Sequence, residues 1–80
     1  MKKRNIVGEN LKLLRLEMGL SQEQLASKLH LLGLNMDRSA ISRIESFSRE
    51  VYDYELAYFS IALDVDIISF YKDINIQYKV

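Results

Sequence analysis

Leu20-Ser21-Gln22-Glu23-Gln24-Leu25-Ala26, followed downstream by Ala40-Ile41-Ser42-Arg43-Ile44-Glu45, carries the signals of two successive helices. Ser21 followed three residues later by Gln24 has the form of a capping box, in which each side chain accepts from the other residue's backbone N–H and so opens a helix. Leu25, Ala26, Leu29 and Leu32 then form one apolar face with helical spacing. The segment from Gly33 to Met36 interrupts that pattern and reads as a turn. Asp37 can cap a third helix whose inward residues are Ile41 and Ile44, with small Ala40 permitting close approach of its neighbour. Two short helices joined by a turn leave Arg38, Ser39, Ser42 and Arg43 pointing away from the core.

Outward from this pair the period stays helical. Val7, Leu11, Leu14 and Met18 form an amphipathic stripe upstream, and Gly19 suits the left-handed residue that closes a helix. Downstream, Ser46 to Glu50 reads as a loop. Asp53 is expected to cap a fourth helix with Leu56, Phe59 and Leu63 inward and Ala57 and Ala62 beside them. Asp66 is expected to cap a short fifth helix to about Lys72, burying some of Ile67, Ile68, Phe70 and Tyr71. After Asp73 the period changes to two, with Ile74, Ile76, Tyr78 and Val80 alternating with polar residues, a strand signature. One isolated strand is not stable in water, so this extended tail must pack on the domain, pair with another chain or fray.

The 80 residues correspond to one domain over residues 1–80, with a core at about 5–72 and a tail at 73–80. Hydrophobic residues make up 49% of the chain, too many for a disordered tail, and no apolar run is long enough for a membrane span. The basic start, Met1 to Arg4, has no signal-peptide hydrophobic core behind it, so a cytoplasmic protein is expected. With no cysteine and one histidine, thiolate metal sites, disulfides and thiol nucleophiles are excluded, and a histidine-based zinc site or catalytic triad lacks partners. His30 reads as a surface or half-buried residue. Asp64 and Asp66 read as caps beside a helix start, and no glycine-rich phosphate loop is present, so an enzyme is not expected. Formal net charge is zero, but unevenly placed: Met1 to Arg49 carries nine Lys or Arg against five Asp or Glu, and Glu50 to Val80 carries two against six. The field that matters to a charged partner is local, so neutrality does not exclude a nucleic acid.

The chain resembles the phage-repressor and Cro-type helix-turn-helix family of bacterial and phage regulators, related to the xenobiotic-response-element type. The matching residues are Val7-Gly8-Glu9-Asn10-Leu11, Leu14-Arg15, Gly19 to Ala26, Lys28-Leu29, Ala40 to Glu45, and later Leu56, Ala62-Leu63 and Val65. The resemblance implies an all-α, compact five-helix domain that binds double-stranded DNA, usually as a dimer, and acts on transcription. By resemblance Arg38, Ser39 and Arg43 stand where the family reads bases. An arginine fork suits guanine, and Ser42 on the same face can reach a base edge or a phosphate. Ser21 and Gln22 stand at the start of the second helix, where free backbone N–H groups and the Gln22 amide can hold a phosphate. The resemblance also implies a salt bridge between Arg15 and Glu45. As a partly exposed pair it would contribute about 1 kcal/mol, and it could aim Arg15 at a phosphate. Arg49 is the plausible phosphate contact of the loop before the fourth helix. Phe47, Tyr52, Tyr54 and Tyr58, with Ile74, Ile76 and Tyr78 of the tail, are candidate dimer contacts. Each has a plainer counterpart: exposed Arg and Ser fit a solvated face, tyrosines fit the edge of a core, and Lys2, Lys3 and Arg4 fit either a solvated terminus or an arm on phosphates.

Three departures from the family pattern carry expectations of their own. The segment from Ser21 to Ile41 is about five residues longer than usual, more than one helical turn, so the second helix and its connection should both lengthen around His30 to Asn35. Ser46-Phe47 replaces the common Asn-Gly; a left-handed residue is strained for Phe, so this loop should take another path. Asp64 stands where Gly is common, a mild change because Asp tolerates left-handed geometry.

The reading that follows is a sequence-specific regulator of transcription. It would be a small homodimeric repressor reading a palindromic site through the helix at about 37–46. The alternative is an antitoxin or other protein-interaction module that uses the same fold to bind a partner protein. The length leaves no room for a sensor domain, so no small-molecule ligand, metal or cofactor is expected, and no membrane partner.

Overall fold

Asn5 begins the architecture. Its Oδ1 accepts from the backbone N–H of Val7 (3.1 Å) and Gly8 (2.8 Å), capping the first helix, α1 (Gly8–Glu17), from outside. Its Nδ2 donates to the carbonyls of Ile44 (3.0 Å) and Arg49 (2.8 Å), so the same side chain ties the start of the chain to its middle. Gly8 is needed here because a Cβ at this position would collide with the Ile44 carbonyl oxygen. The computed structural model describes residues 2–75. Over these the chain continues with α2 (Gln22–Leu31), α3 (Arg38–Glu45), α4 (Asp53–Leu63) and a 3-10 helix (Ile67–Tyr71). No helix among the described residues is long and apolar enough to cross a membrane.

The N-terminal caps of α2 and α3 follow the expected chemistry. Ser21 Oγ accepts from Gln24 N–H (3.0 Å) and Gln24 Oε1 accepts from Ser21 N–H (2.8 Å), completing the capping box. Asp37 Oδ1 accepts from Ala40 N–H at 2.8 Å. At α4 the expectation shifts by one residue: Tyr52 is the N-cap, Asp53 is already helical, and Glu55 reaches back to accept from Tyr52 N–H at 2.9 Å.

All four α-helices end in one way. A residue in the left-handed region turns the chain, and two backbone N–H groups beyond the helix bond back to its last free carbonyls. The left-handed residues are Gly19 (φ 72°), Gly33 (φ 101°), Phe47 (φ 65°) and Asp64 (φ 53°). The outer bonds are Leu20 N–H to Arg15 O, Leu34 N–H to Leu29 O, Ser48 N–H to Arg43 O and Val65 N–H to Ser60 O, all between 2.8 and 3.1 Å. Phe47 corrects the expectation that its loop takes another path. The left-handed turn is kept, at a cost of about 1–2 kcal/mol for a side chain that avoids this region. The two closing bonds at the end of α3, a third from Arg4 N–H to Phe47 O (2.9 Å) and partial burial of the ring offset that strain.

The core collects one face of each helix: Leu11 from α1, Leu25 and Leu29 from α2, Ile41 and Ile44 from α3, Phe59 and Leu63 from α4, and Phe70 from the 3-10 helix. Phe59 and Phe70 meet as tilted rings with centroids 6.3 Å apart. Asn10 Nδ2 donates to the carbonyls of Phe70 (2.8 Å) and Lys72 (2.9 Å), fastening the last turn to α1. Three residues expected to face inward are exposed instead: Met18, Leu32 and, on α4, Ala57. Met18 and Leu32 lie beyond the last full turn of their helices, so the helical stripe no longer describes their direction. After Gly33 the chain folds back, and Leu34 and Met36, assigned to a turn, are buried in their place. Thus the lengthened connection spans Leu32 to Asp37 and contributes two residues to the core. The fifth helix is a 3-10 helix rather than an α-helix, and of its apolar residues only Phe70 is fully buried. Among the described residues there is no strand; Ile76, Tyr78 and Val80 of the alternating tail lie outside them.

Candidate nucleic-acid interface

α3 has two chemically distinct sides. Ala40, Ile41 and Ile44 are buried. Arg38, Ser39, Ser42 and Arg43 are exposed, and among the described residues their side chains have no ion-pair or hydrogen-bond partner within the domain. Helical spacing places these four on one surface. Two guanidinium forks and two hydroxyls with unused donors make a surface matched to base edges and phosphate oxygens.

At the end of α3, three elements converge on one carboxylate. Arg15 from α1 donates to Glu45 through Nε (2.8 Å to Oε2) and Nη2 (3.0 Å to Oε1), a two-bond fork. Its Nη1 donates to Leu20 O at 2.7 Å. Gln22 Nε2, at the start of α2, donates to Glu45 Oε1 at 3.0 Å. The Arg15 and Glu45 side chains are only 7% and 4% exposed, so the pair is buried rather than partly exposed as expected. A bidentate fork with a third donor satisfies both groups, and removal of one partner from such a pair costs about 3–5 kcal/mol. The network fixes where α3 sits relative to α1 and α2. It also engages the Arg15 guanidinium and one N–H of the Gln22 amide with an internal carboxylate. Ser21 is exposed; its oxygen caps α2 and its own hydroxyl hydrogen is free to donate.

Arg49 is the second residue read as a phosphate contact whose guanidinium turns inward. Nη1 and Nη2 donate to the two oxygens of Glu55 (3.1 and 3.0 Å), and Nη1 also donates to Glu50 O (2.8 Å). The hydrogen bonds to Glu55 raise the Arg49 pKa above the ordinary arginine value, so the charge persists at every accessible pH. Glu55 is buried, held by Arg49 on one side and by Tyr52 N–H on the other. The sequence reading missed both this pairing and the role of Asn5: the partners of Asn5 lie 39 and 44 residues away and are set by how the helices pack, whereas Glu55 lies six residues beyond Arg49, three after the Tyr52 cap, where a capping-box spacing was the local signal.

Among the candidate dimer contacts, Tyr52 and Tyr54 are exposed and stack with centroids 5.9 Å apart and planes 6° from parallel. Tyr58 is half-buried against the core. Phe47 is half-buried under the ammonium of Lys3, which sits 4.3 Å from its ring centroid. Ile74 is half-buried; Ile76 and Tyr78 lie outside the described residues.

Two short helices joined across the Leu32–Asp37 connection, the second with a free basic and hydroxyl face, define a helix-turn-helix unit. The profile of the helix-turn-helix family matches residues 11–51, just over half of the chain, and the chain belongs to that family of DNA-binding regulators, which is not a family of enzymes. The matched span runs from Leu11 through the buried Glu45 network to Val51. No curated protein matches the chain.

Proposed function

We propose that this chain is a sequence-specific, cytoplasmic regulator of transcription, a small repressor that binds a palindromic duplex site as a homodimer. The reading rests on one observation: Arg38, Ser39, Ser42 and Arg43 are exposed and have no partners among the described residues, whereas Arg15 and Arg49 are bonded to buried carboxylates. α3 enters the major groove and Arg38 and Arg43 read base edges, while Ser39 and Ser42 reach a base or a phosphate. Ser21 at the start of α2 holds a phosphate. The exposed Tyr52–Tyr54 stack at the start of α4, with Ile61 and Ile68, supports self-association through the acidic half, leaving the basic half for DNA.

Selection of bound sequences from a random duplex pool, with a salt series on the winner, tests the proposal. The expected result is a palindrome with half-sites about 34 Å apart and an affinity that falls steeply as salt rises. Equal affinity for selected and random duplexes would overturn it. The same exposed aromatic surface favours a second reading, an antitoxin-like module that binds a partner protein. A solution mass of two chains in the absence of any other protein supports the first.

A further inference from the structure

The basic start of the chain, Lys2-Lys3-Arg4, is held against the end of α3. Arg4 N–H donates to Phe47 O (2.9 Å), and Asn5 immediately after it bonds Ile44 O and Arg49 O. The Lys3 ammonium lies 4.3 Å from the centroid of the Phe47 ring. Phe47 in turn sits in the left-handed closure of α3, where Ser48 N–H, Ser46 Oγ and Ser48 Oγ all donate to the carbonyl of Arg43. Lys3 is therefore linked, through Phe47 and two serines, to the last turn of the helix that carries Arg43. Among the described residues, Arg4 is the one of the three cations with an acidic partner, Glu50 at 3.2 Å.

We propose that Lys3 is a phosphate contact, extending the DNA surface beyond α3 onto a pre-positioned N-terminal arm; this rests on the duplex-binding reading above. The occupant is the phosphate backbone flanking the bases read by α3. A lysine offers three N–H donors to a phosphate oxygen and carries no sequence information, so its contribution is uniform across sequences. The arm is already fastened at Arg4 and Asn5, so ordering it on the duplex loses less conformational freedom than ordering a loose terminus. Glu50, which also borders the depression lined by Lys2, Lys3, Arg4 and Ser48, opposes the approach of a phosphate and tempers the affinity.

The test compares wild type, Lys3→Met, Lys3→Arg and Glu50→Gln on the selected duplex and on a scrambled duplex of equal length, at several salt concentrations, with thermal unfolding as the control for folding. Lys3→Met keeps an apolar stem on Phe47 and removes the charge. It is expected to lower the slope of log affinity against log salt by about 0.9. Between 50 and 200 mM salt that slope change corresponds to about 3.5-fold less loss of binding than wild type shows. The change should be the same on both duplexes, with Lys3→Arg restoring the slope and Glu50→Gln tightening binding. An unchanged slope for Lys3→Met, in a protein whose duplex preference still disappears in Arg38→Ala and Arg43→Ala, would overturn the arm contact and leave the α3 reading standing. A wild-type protein with no salt-dependent duplex binding would overturn both.

Discussion

Arg15 and Arg49 differ from Arg38 and Arg43 in what their guanidinium groups touch. The first two are each forked onto a buried carboxylate, Glu45 and Glu55, with Arg15 itself buried and Arg49 partly exposed. The second two stand free on the outer face of α3. Sequence distance does not separate the sets, since Arg43 and Glu45 are two residues apart in one helix. The difference lies in the side of the helix. A side that turns toward α1 and α2 must neutralise any charge it brings, because an unpaired buried ion is costly. A side that faces water can keep its charge unpaired for a partner. The two sets predict opposite outcomes on substitution: stability for one, recognition for the other.

The largest expected effect is at Glu45. Glu45→Ala leaves Arg15 buried without its fork and removes the acceptor of Gln22, so chemical or thermal unfolding should show a loss of about 3–5 kcal/mol. A loss below about 1 kcal/mol would mean that the pair is open to water. Arg49→Ala should cost about 1–3 kcal/mol, because Glu55 keeps only the Tyr52 N–H as partner. The same variant should leave the salt dependence of duplex binding unchanged; a slope reduced by about one contact would return Arg49 to the phosphate role read from the sequence. Arg43→Ala should leave the unfolding free energy within about 0.5 kcal/mol of wild type, as a surface change does. The smallest effect belongs to a helix end. Asp64→Gly relieves a left-handed residue and should raise stability by less than about 1 kcal/mol, read as a small upward shift in Tm.

Much of this comparison was legible in the sequence where the causes are local. The capping box of Ser21 and Gln24, the Asp37 cap, the left-handed Gly19 and the inward pair Ile41 and Ile44 each depend on neighbours within a turn or two, and each lies where its spacing placed it. The outward direction of Arg38 and Arg43 follows from the same spacing. Most of the errors fall at helix ends. Met18 and Leu32 continue a stripe past the point where the helix stops, and Leu34 and Met36 are buried because the Gly33 turn sends the chain back over the core. Phe47 departs from expectation for a related reason: its intrinsic dislike of the left-handed region is real, but it is outweighed by the two closing bonds of α3 together with contacts to Arg4 and Lys3, more than 40 positions away. The partners of Gln22 and Asn5 are illegible in the same way, whereas Arg49 meets Glu55 at a separation of six. Gln22 meets Glu45 at a separation of 23 residues and Asn5 meets Arg49 at 44, and no local periodicity reports which helix end will face which.

If α3 reads DNA, its arginines are free because the fold has no use for them. The ratio of affinities for the selected and scrambled duplexes, measured for wild type, Arg38→Ala and Arg43→Ala at one salt concentration, decides this. Loss of a forked contact to a base should lower that ratio about tenfold or more for each arginine that reads a base. Both variants should unfold at the wild-type temperature. A ratio unchanged in both variants would show that α3 is a solvated surface and not the element that reads DNA.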